Sequence, residues 1–388
     1  MIFAPTKHMR IATNVSGSKL GGITSTNLAL FKSMDKTKHS IVGIEVIPAR
    51  RYKVPAIFDH LSAIFFTHWI ISAFDLKRDM MRRAKTLADA KKIWAPAIRG
   101  MKRALQTEKV DVVLINGTYT YPWLLSLAAH ELGIPIVLRY AGVFSREAKG
   151  VKPRLRKLFG SMEKATARMA NAYIFPSSVC QEVVENEVLK KKAAHANVIP
   201  NSIRTIAHRA KKVSTTKHTI AAIGRWDDIK NFDAFFKLHD LLQEQHWDHK
   251  AYLVTAQSVA KNVPKSVFRV PSMTFDKLWA FYKQVGLVVV PSHFETFNNV
   301  AAEAVLSGTP VLVSEQVGFS TFLKKAGLQN MVIKDFTDLD MVAERVKKLS
   351  GTKIPPKNMK RIEAILEPQA IQKKIMQVLK QTIKRGKT

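Results

Sequence analysis

Apolar runs of three to eight residues recur along the chain, separated by stretches of helical length, and the whole series then starts again. The first series lies at residues 10–15, 40–47, 110–116, 136–139, 172–176 and 197–200. The second lies at 219–224, 251–255, 268–270, 287–291, 310–314 and 331–333. Runs this short and this apolar predict strands buried on both faces, as a parallel sheet covered by helices requires. The segments 24–34, 121–132, 162–170, 231–245, 300–307, 337–349 and 368–384 read as helices. The expected class is therefore α/β, with two successive open sheets and a cleft at the carboxyl ends of both sets of strands. A length of 388 residues suits two cores better than one.

Composition places the boundary. Residues 205–217 are polar, basic and rich in Ser and Thr, and read as a linker between a first domain at 1–204 and a second at 218–388. The last helix, at 368–384, is a candidate to return to the first domain. Residues 51–109 interrupt the first series with 13 basic and five acidic residues, and open with the apolar segment 56–74. This insertion reads as two helices. Asp59, His60 and His68 within 56–74 argue against a membrane span.

Lys and Arg total 62 against 30 acidic residues, a formal charge of +32. Such a field attracts polyanions, whether nucleic acid, anionic lipid or phosphorylated substrates. Zinc-finger spacing, stacking aromatic blocks and basic heptads are all missing, so a specific nucleic-acid partner is not expected. Cys180 is the single cysteine, which excludes an internal disulfide and a cysteine-based zinc site. Residues 1–15 lack the long apolar stretch of a secretion signal, so a cytoplasmic location is expected.

The most specific segment is VVVPSHFETFNNVAAEAVLSGTPVLV at 288–313. A buried strand ends at Pro291-Ser292, a tight loop carries Glu295, and a helix starting near Asn299 holds Glu303. Free backbone N–H groups at a helix start can hold a phosphate, and carboxylates beside them accept bonds from sugar hydroxyls. A plain strand-loop-helix with solvated glutamates has the same outline. A second segment, IAAIGRWDDIKN at 220–231, puts Arg225 and Lys230 just beyond a strand end. Two cations there would stabilise a departing diphosphate. A third is the Gly21-Gly22 turn between the first strand and helix, and a fourth is Val198-Ile-Pro-Asn-Ser-Ile203. The glycine turn matches neither G-x-G-x-x-G nor the P-loop pattern, which weakens dehydrogenase and NTPase readings.

Together these segments resemble the family 4 retaining glycosyltransferases, whose fold is GT-B, two Rossmann-like domains with parallel sheets facing a central cleft. Glu295, Glu303, Ala304, Gly308, Pro310 and Val311 match the family's E-x7-E signature, and Gly224, Arg225, Lys230 and Asn231 match its Gly-Arg-x4-Lys-Asn motif. The resemblance runs through the chain in order and is strongest from 220 to 318. It implies an acceptor-side first domain and a donor-side second domain. It also implies that Arg225 and Lys230 hold the diphosphate, Glu295 the donor-sugar hydroxyls and Glu303 the ribose hydroxyls. Thr296, Phe297, Asn298 and Asn299 would line the donor site, the two asparagines through backbone amides, with Gly21, Gly22 and Asn201 contributing. Asn298 stands where many members have glycine, and Asn tolerates left-handed φ better than most residues. Ala141 stands where many relatives carry a histidine, so no catalytic histidine is assigned.

The implied reaction is metal-independent transfer of a sugar from a nucleotide-diphosphate sugar, with no cofactor, to a glycan or lipid-linked acceptor of the polysaccharide-precursor kind. The segment 56–74 with its flanking cations would dock on an anionic membrane surface, a peripheral location, or be a buried helix. Two alternatives are a GT-B nucleotide-sugar epimerase or hydrolase, and a basic nucleic-acid-binding protein.

Overall fold

The structure is a computed structural model that describes residues 8–15, 30, 39–48, 67–73, 83–118, 120–148, 151–203, 218–256 and 262–386. The Gly21-Gly22 turn, the linker 205–217 and residues 56–66 and 74 of the apolar segment lie outside the described residues.

The chain divides into two compact units. The first comprises Met1–Pro176, Cys180–Ser202 and Pro368–Thr388; the second comprises Ser177–Val179 and Ile203–Glu367. The last helix, the sequence's candidate to return to the first domain, belongs to the first unit. Its residues Ile371, Ile375, Val378 and Leu379 pack with Met9, Ile11, Val112, Leu114, Val137 and Ile174 in one apolar cluster of the first unit.

The first unit holds a seven-stranded parallel sheet in the order β3-β2-β1-β4-β5-β6-β7. The strands are β1 Met9–Asn14, β2 His39–Pro48, β3 Thr67–Ala73, β4 Val112–Asn116, β5 Ile136–Arg139, β6 Ala172–Phe175 and β7 Ala196–Val198. The second unit holds a six-stranded parallel sheet in the order β10-β9-β8-β11-β12-β13. Its strands are β8 Thr219–Ile223, β9 Lys250–Val254, β10 Val267–Val270, β11 Leu287–Val290, β12 Val311–Ser314 and β13 Val332–Ile333.

Both orders reverse direction beside the unit's first strand, between β1 and β4 and between β8 and β11. These are topological switch points, where the loops leaving the carboxyl ends of the strands diverge and leave a crevice for ligands. In the first unit the switch is tied shut at strand level. Asn14 Nδ2 donates to the Asn116 carbonyl at 2.9 Å, and Asn116 N donates to Asn14 Oδ1 at 2.8 Å.

The apolar segment is where the sequence reading needs correction. Residues Thr67–Ala73 form the edge strand β3, paired in parallel with β2 from Val42↔Thr67 to Pro48↔Ala73. They are not part of a docking helix. An apolar run with no clear alternation fits a helix or a strand equally, and β-branched Thr67, Ile70 and Ile71 tip it toward the strand. Ile71 is buried, and its Cγ2 would lie 3.1 Å from a Cβ placed on Gly100. The glycine thus lets helix Ala95–Thr107 approach the strand closely. Trp69 Nε1 donates to Glu108 Oε1 at 2.9 Å, which ties the indole to its own unit. Among the described residues, the insertion also holds the helices Leu87–Ile93 and Ala95–Thr107. No helix among the described residues is long and apolar enough to cross a membrane.

Candidate active site

Three loops leave the carboxyl ends of β8, β11 and β12 and are laced together. After β8 the chain runs through Gly224 and Arg225 into a 3-10 turn, Asp228–Lys230. Asn231 then takes a left-handed conformation, φ 50°, ahead of helix Phe232–Glu244. Its side chain donates to the Pro291 carbonyl at 3.1 Å, and His293 N donates to the Ile229 carbonyl at 2.9 Å. These bonds clamp the β8 loop to the β11 loop. The β11 loop is clamped in turn to the β12 loop. Glu295 N donates to the Gln316 carbonyl at 3.2 Å, Gly318 N to the Glu295 carbonyl at 2.9 Å, and Phe319 N to the Phe297 carbonyl at 2.7 Å.

The clamps bring Lys230 and Glu295 together, 65 residues apart in sequence and on either side of the switch point. Lys230 Nζ donates to Glu295 Oε1, and each side chain is 16% exposed. Ser292 Oγ donates to the same oxygen at 3.0 Å. Glu295 Oε2 carries no hydrogen bond among the described residues. The pair is thus oriented by the protein and still reachable from solvent.

Glu303 sits in the second turn of helix Asn299–Leu306. Its Oε2 accepts a hydrogen bond from Tyr282 Oη at 2.9 Å. Burial pushes the Glu303 carboxyl up to about 7, against the lowering effect of that bond. Burial and the neighbouring carboxylate push the Tyr282 hydroxyl up as well.

The remaining expected residues divide. Asn298 has φ 83° and caps the helix, its Oδ1 accepting from Ala301 N at 2.8 Å. The left-handed conformation expected of a glycine substitute is therefore present. Asn299 opens the helix. Phe297 is 1% exposed and packs edge-on to Phe319 and Phe322, with ring centroids at 5.5 and 5.7 Å. Its side chain is core rather than a donor contact, because a large apolar ring gains more from that cluster than from a solvated loop. Thr296 is buried too, and its carbonyl accepts from Ser177 Oγ at 2.6 Å. Arg225 stands apart from the ion pair. It is 80% exposed, with Nη2 3.3 Å from Asp227 Oδ2. Asn201 belongs to the first unit, where its Oδ1 accepts from Arg139 Nη2 at 2.9 Å. Arg139 is itself buried, which brings its guanidinium down to about 10.

Four participants escaped the sequence reading. Ser292 and Asn231 lie inside the quoted segments, but nothing in their spacing assigns a role. Tyr282 lies outside every motif. Gly318 is required by space, since a Cβ there would lie 2.2 Å from the Thr296 carbonyl oxygen.

Known proteins show the same architecture. A model of glycosyltransferase family 4 in conflict systems matches residues 180–385, more than half of the chain, and a model of glycosyltransferase family 4 matches residues 77–206. D-inositol 3-phosphate glycosyltransferase of Acidothermus cellulolyticus is 37% identical over 62 residues, which is 16% of this chain and 14% of that protein. Among solved structures, sucrose-phosphate synthase from Thermosynechococcus elongatus superposes with a TM-score of 0.72 at 16% identity, covering 96% of this chain and 98% of that one. TarM gives a TM-score of 0.71 at 12% identity, covering 97% and 99%. An E. coli trehalose-6-phosphate structure bound with UDP-2-fluoro glucose gives 0.62 at 14% identity, covering 97% and 99%. The fold is GT-B, and the chain belongs to the family 4 glycosyltransferases, in the group described from conflict systems.

Proposed function

We propose that the chain transfers a sugar from a nucleoside-diphosphate sugar to a glycan or lipid-linked acceptor, with retention at the anomeric carbon and without a metal ion. The observation that supports this most is the Lys230–Glu295 pair, clamped at the switch point of the second sheet. In this reading Lys230 meets the diphosphate, and its charge stabilises the negative charge that develops as the glycosyl bond breaks. Glu295 keeps Oε1 on Lys230 and Ser292 and offers Oε2 to donor-sugar hydroxyls. Arg225, exposed on the same loop, would exchange Asp227 for a phosphate oxygen. Asn298 and Asn299 would act through backbone amides and Thr296 through the shape of its loop; for Gly21, Gly22 and Asn201 a donor role rests on the family resemblance alone. The acceptor hydroxyl would attack on the face the diphosphate leaves, and the departing diphosphate would take its proton. No separate carboxylate base is then needed, and the protein contributes position and charge.

The setting would be cytoplasmic, with peripheral contact to an anionic membrane if the acceptor is lipid-linked. With Ile71 and Trp69 committed to the sheet and to Glu108, such contact would rest on charge rather than on these side chains. The test is nucleoside-diphosphate release from UDP-, GDP- and ADP-sugars, and CMP release from a CMP-sugar, all in EDTA. The expected result is turnover with one donor, lowered by about 100-fold or more in Lys230→Ala and Glu295→Gln with folding intact. Turnover restored only by added magnesium or manganese would overturn the metal-independent part. An inverted product anomer, read by NMR, would overturn retention.

A further inference from the structure

Three linked side chains tie helix Phe232–Glu244 to the starts of β9 and β10, at the end of the second sheet opposite Lys230 and Glu295. His239 stands on the helix, His249 just before β9 and Ser266 just before β10. The direction of every proton in this chain is fixed from one end. The Trp247 carbonyl can only accept, so His249 Nδ1 donates to it at 2.7 Å. His249 Nε2 then accepts from His239 Nδ1 at 2.8 Å, and His239 Nε2 accepts from the Ser266 hydroxyl at 2.9 Å. The His249 ring is held as well by stacking on the Trp247 indole, with centroids 4.8 Å apart. His239 is buried, whereas Ser266 is exposed. A reachable hydroxyl thus donates to a buried imidazole whose far nitrogen is oriented by a third group, the arrangement that makes a serine nucleophilic. Burial lowers both imidazoles below their usual 6.5, so the base is neutral near pH 7. The His239–His249 contact and His218 act in the same direction, against Asp240 and Asp248.

We infer that Ser266 is an activated nucleophile, with His239 as its general base and His249 as the positioning residue behind the base, and that it takes the acyl group of uncharged carboxylic esters. In that step Ser266 Oγ bonds to the ester carbonyl carbon, and the bond from that carbon to the alkoxy oxygen breaks. The hydroxyl proton passes to His239 Nε2 and from there to the departing oxygen, which leaves as the alcohol. Phe268, two residues on from the serine, is 52% exposed and offers an apolar ring, which favours an uncharged acyl group. The Val267 amide already donates to the Pro264 carbonyl at 3.1 Å and is not free for the developing oxyanion. The expected product is therefore a lasting acyl-serine rather than rapid turnover. The site stands independently of the donor reading, since none of its residues lies in the loops that carry Lys230 and Glu295.

The experiment treats the full chain with a fluorophosphonate probe and, separately, with p-nitrophenyl acetate, and locates the adducts by peptide mass spectrometry. The phosphonyl group should sit on Ser266, and the same serine should carry the acetyl group after the ester. Ser266→Ala should lose both adducts. In variants that circular dichroism shows to be folded, His239→Gln should slow labelling at least about 100-fold and His249→Phe at least about tenfold. The wild-type rate should be level between pH 7 and 8 and fall below 6.5 as His239 gains a proton. A serine with no base would instead speed up steadily with pH as alkoxide forms. Should a histidine variant fail to fold, this profile decides the case. An unlabelled Ser266 in folded wild type would overturn the inference, as would labelling equally fast in folded His239→Gln. So would a rate that keeps rising with pH, or equal labelling of several serines.

Discussion

Lys230 and Glu295 each keep 16% of their side-chain surface exposed, and that partial exposure decides what the pair does. A solvated ion pair contributes about 0–1 kcal/mol, and its removal would be silent. A fully buried one would be sealed from a ligand. This pair is between the two, so removing Lys230 should act on ligand affinity and turnover far more than on stability. Gly318 shows the opposite balance. Gly318→Ala would push a methyl against the Thr296 carbonyl and Ser177, and flexible side chains alone cannot relieve a contact with backbone. We predict a loss of about 1–3 kcal/mol in urea denaturation, with Glu295 displaced and turnover lost as well. A variant of unchanged stability would show that the clamp between the β11 and β12 loops is loose. At this scale the sequence was legible where chemistry and spacing coincide. Glu295 and Lys230 stand in motifs, and the structure joins them. Phe297 stands in the same motif but faces inward, because a linear motif records which residues recur and not which way each side chain turns. Tyr282 was invisible for a related reason: its link to Glu303 spans 21 residues and two elements.

Helices and strands explain the next level. The apolar residues of β3 read as helix because seven residues are too few for periodicity to choose. The neighbours Gly100 and Glu108 choose instead, and they lie about thirty to forty residues onward. The last helix, Pro368–Arg385, was legible as a helix and as a candidate to return to the first domain, and the apolar face of the first sheet that it covers is the physical reason it does. Leu379→Ala should lower the stability of the first unit by about 2–5 kcal/mol, read as an earlier denaturation midpoint by a probe in that unit. Truncation after Glu367 should expose the cluster and give insoluble protein.

Another element-scale device joins helix Phe232–Glu244 to the segments that lead into β9 and β10. His249 Nδ1 is 2.7 Å from the Trp247 carbonyl, which makes that nitrogen the donor. His249 Nε2 then accepts from His239 Nδ1 at 2.8 Å, and His239 Nε2 accepts from Ser266 Oγ at 2.9 Å. Burial lowers both imidazoles below their usual value of 6.5. Asp240 and Asp248 oppose the lowering, whereas the His239–His249 contact and His218 add to it. The unfolded chain therefore binds more protons below 6.5. The stability these residues contribute is complete above that pH and is lost as pH falls through the folded values. Urea midpoints at pH 7.5 and 5.5 should diverge more in wild type than in His249→Asn. Equal divergence would show that the two histidines do not contribute to the pH dependence of stability.

At the scale of the molecule, the alternation of short apolar runs specified two open parallel sheets, and the structure holds both with the same switch-point order. The +32 charge had no such clear reading. Part of it now has a place: Lys373, Lys374, Lys380 and Lys384 lie exposed on the last helix, which contains no acidic residue. Lysines spaced this way form a solvated face, so DNA retention should be sequence-independent and vanish between low and physiological salt. Sequence-selective retention at physiological salt would contradict that.

Calorimetric titration of UDP, GDP and ADP in EDTA reads whether the second sheet's switch point binds a nucleoside diphosphate through Lys230. One of the three should bind wild type, and Lys230→Ala should weaken it at least about tenfold with the fold unchanged. Binding of equal strength in the folded variant would contradict it.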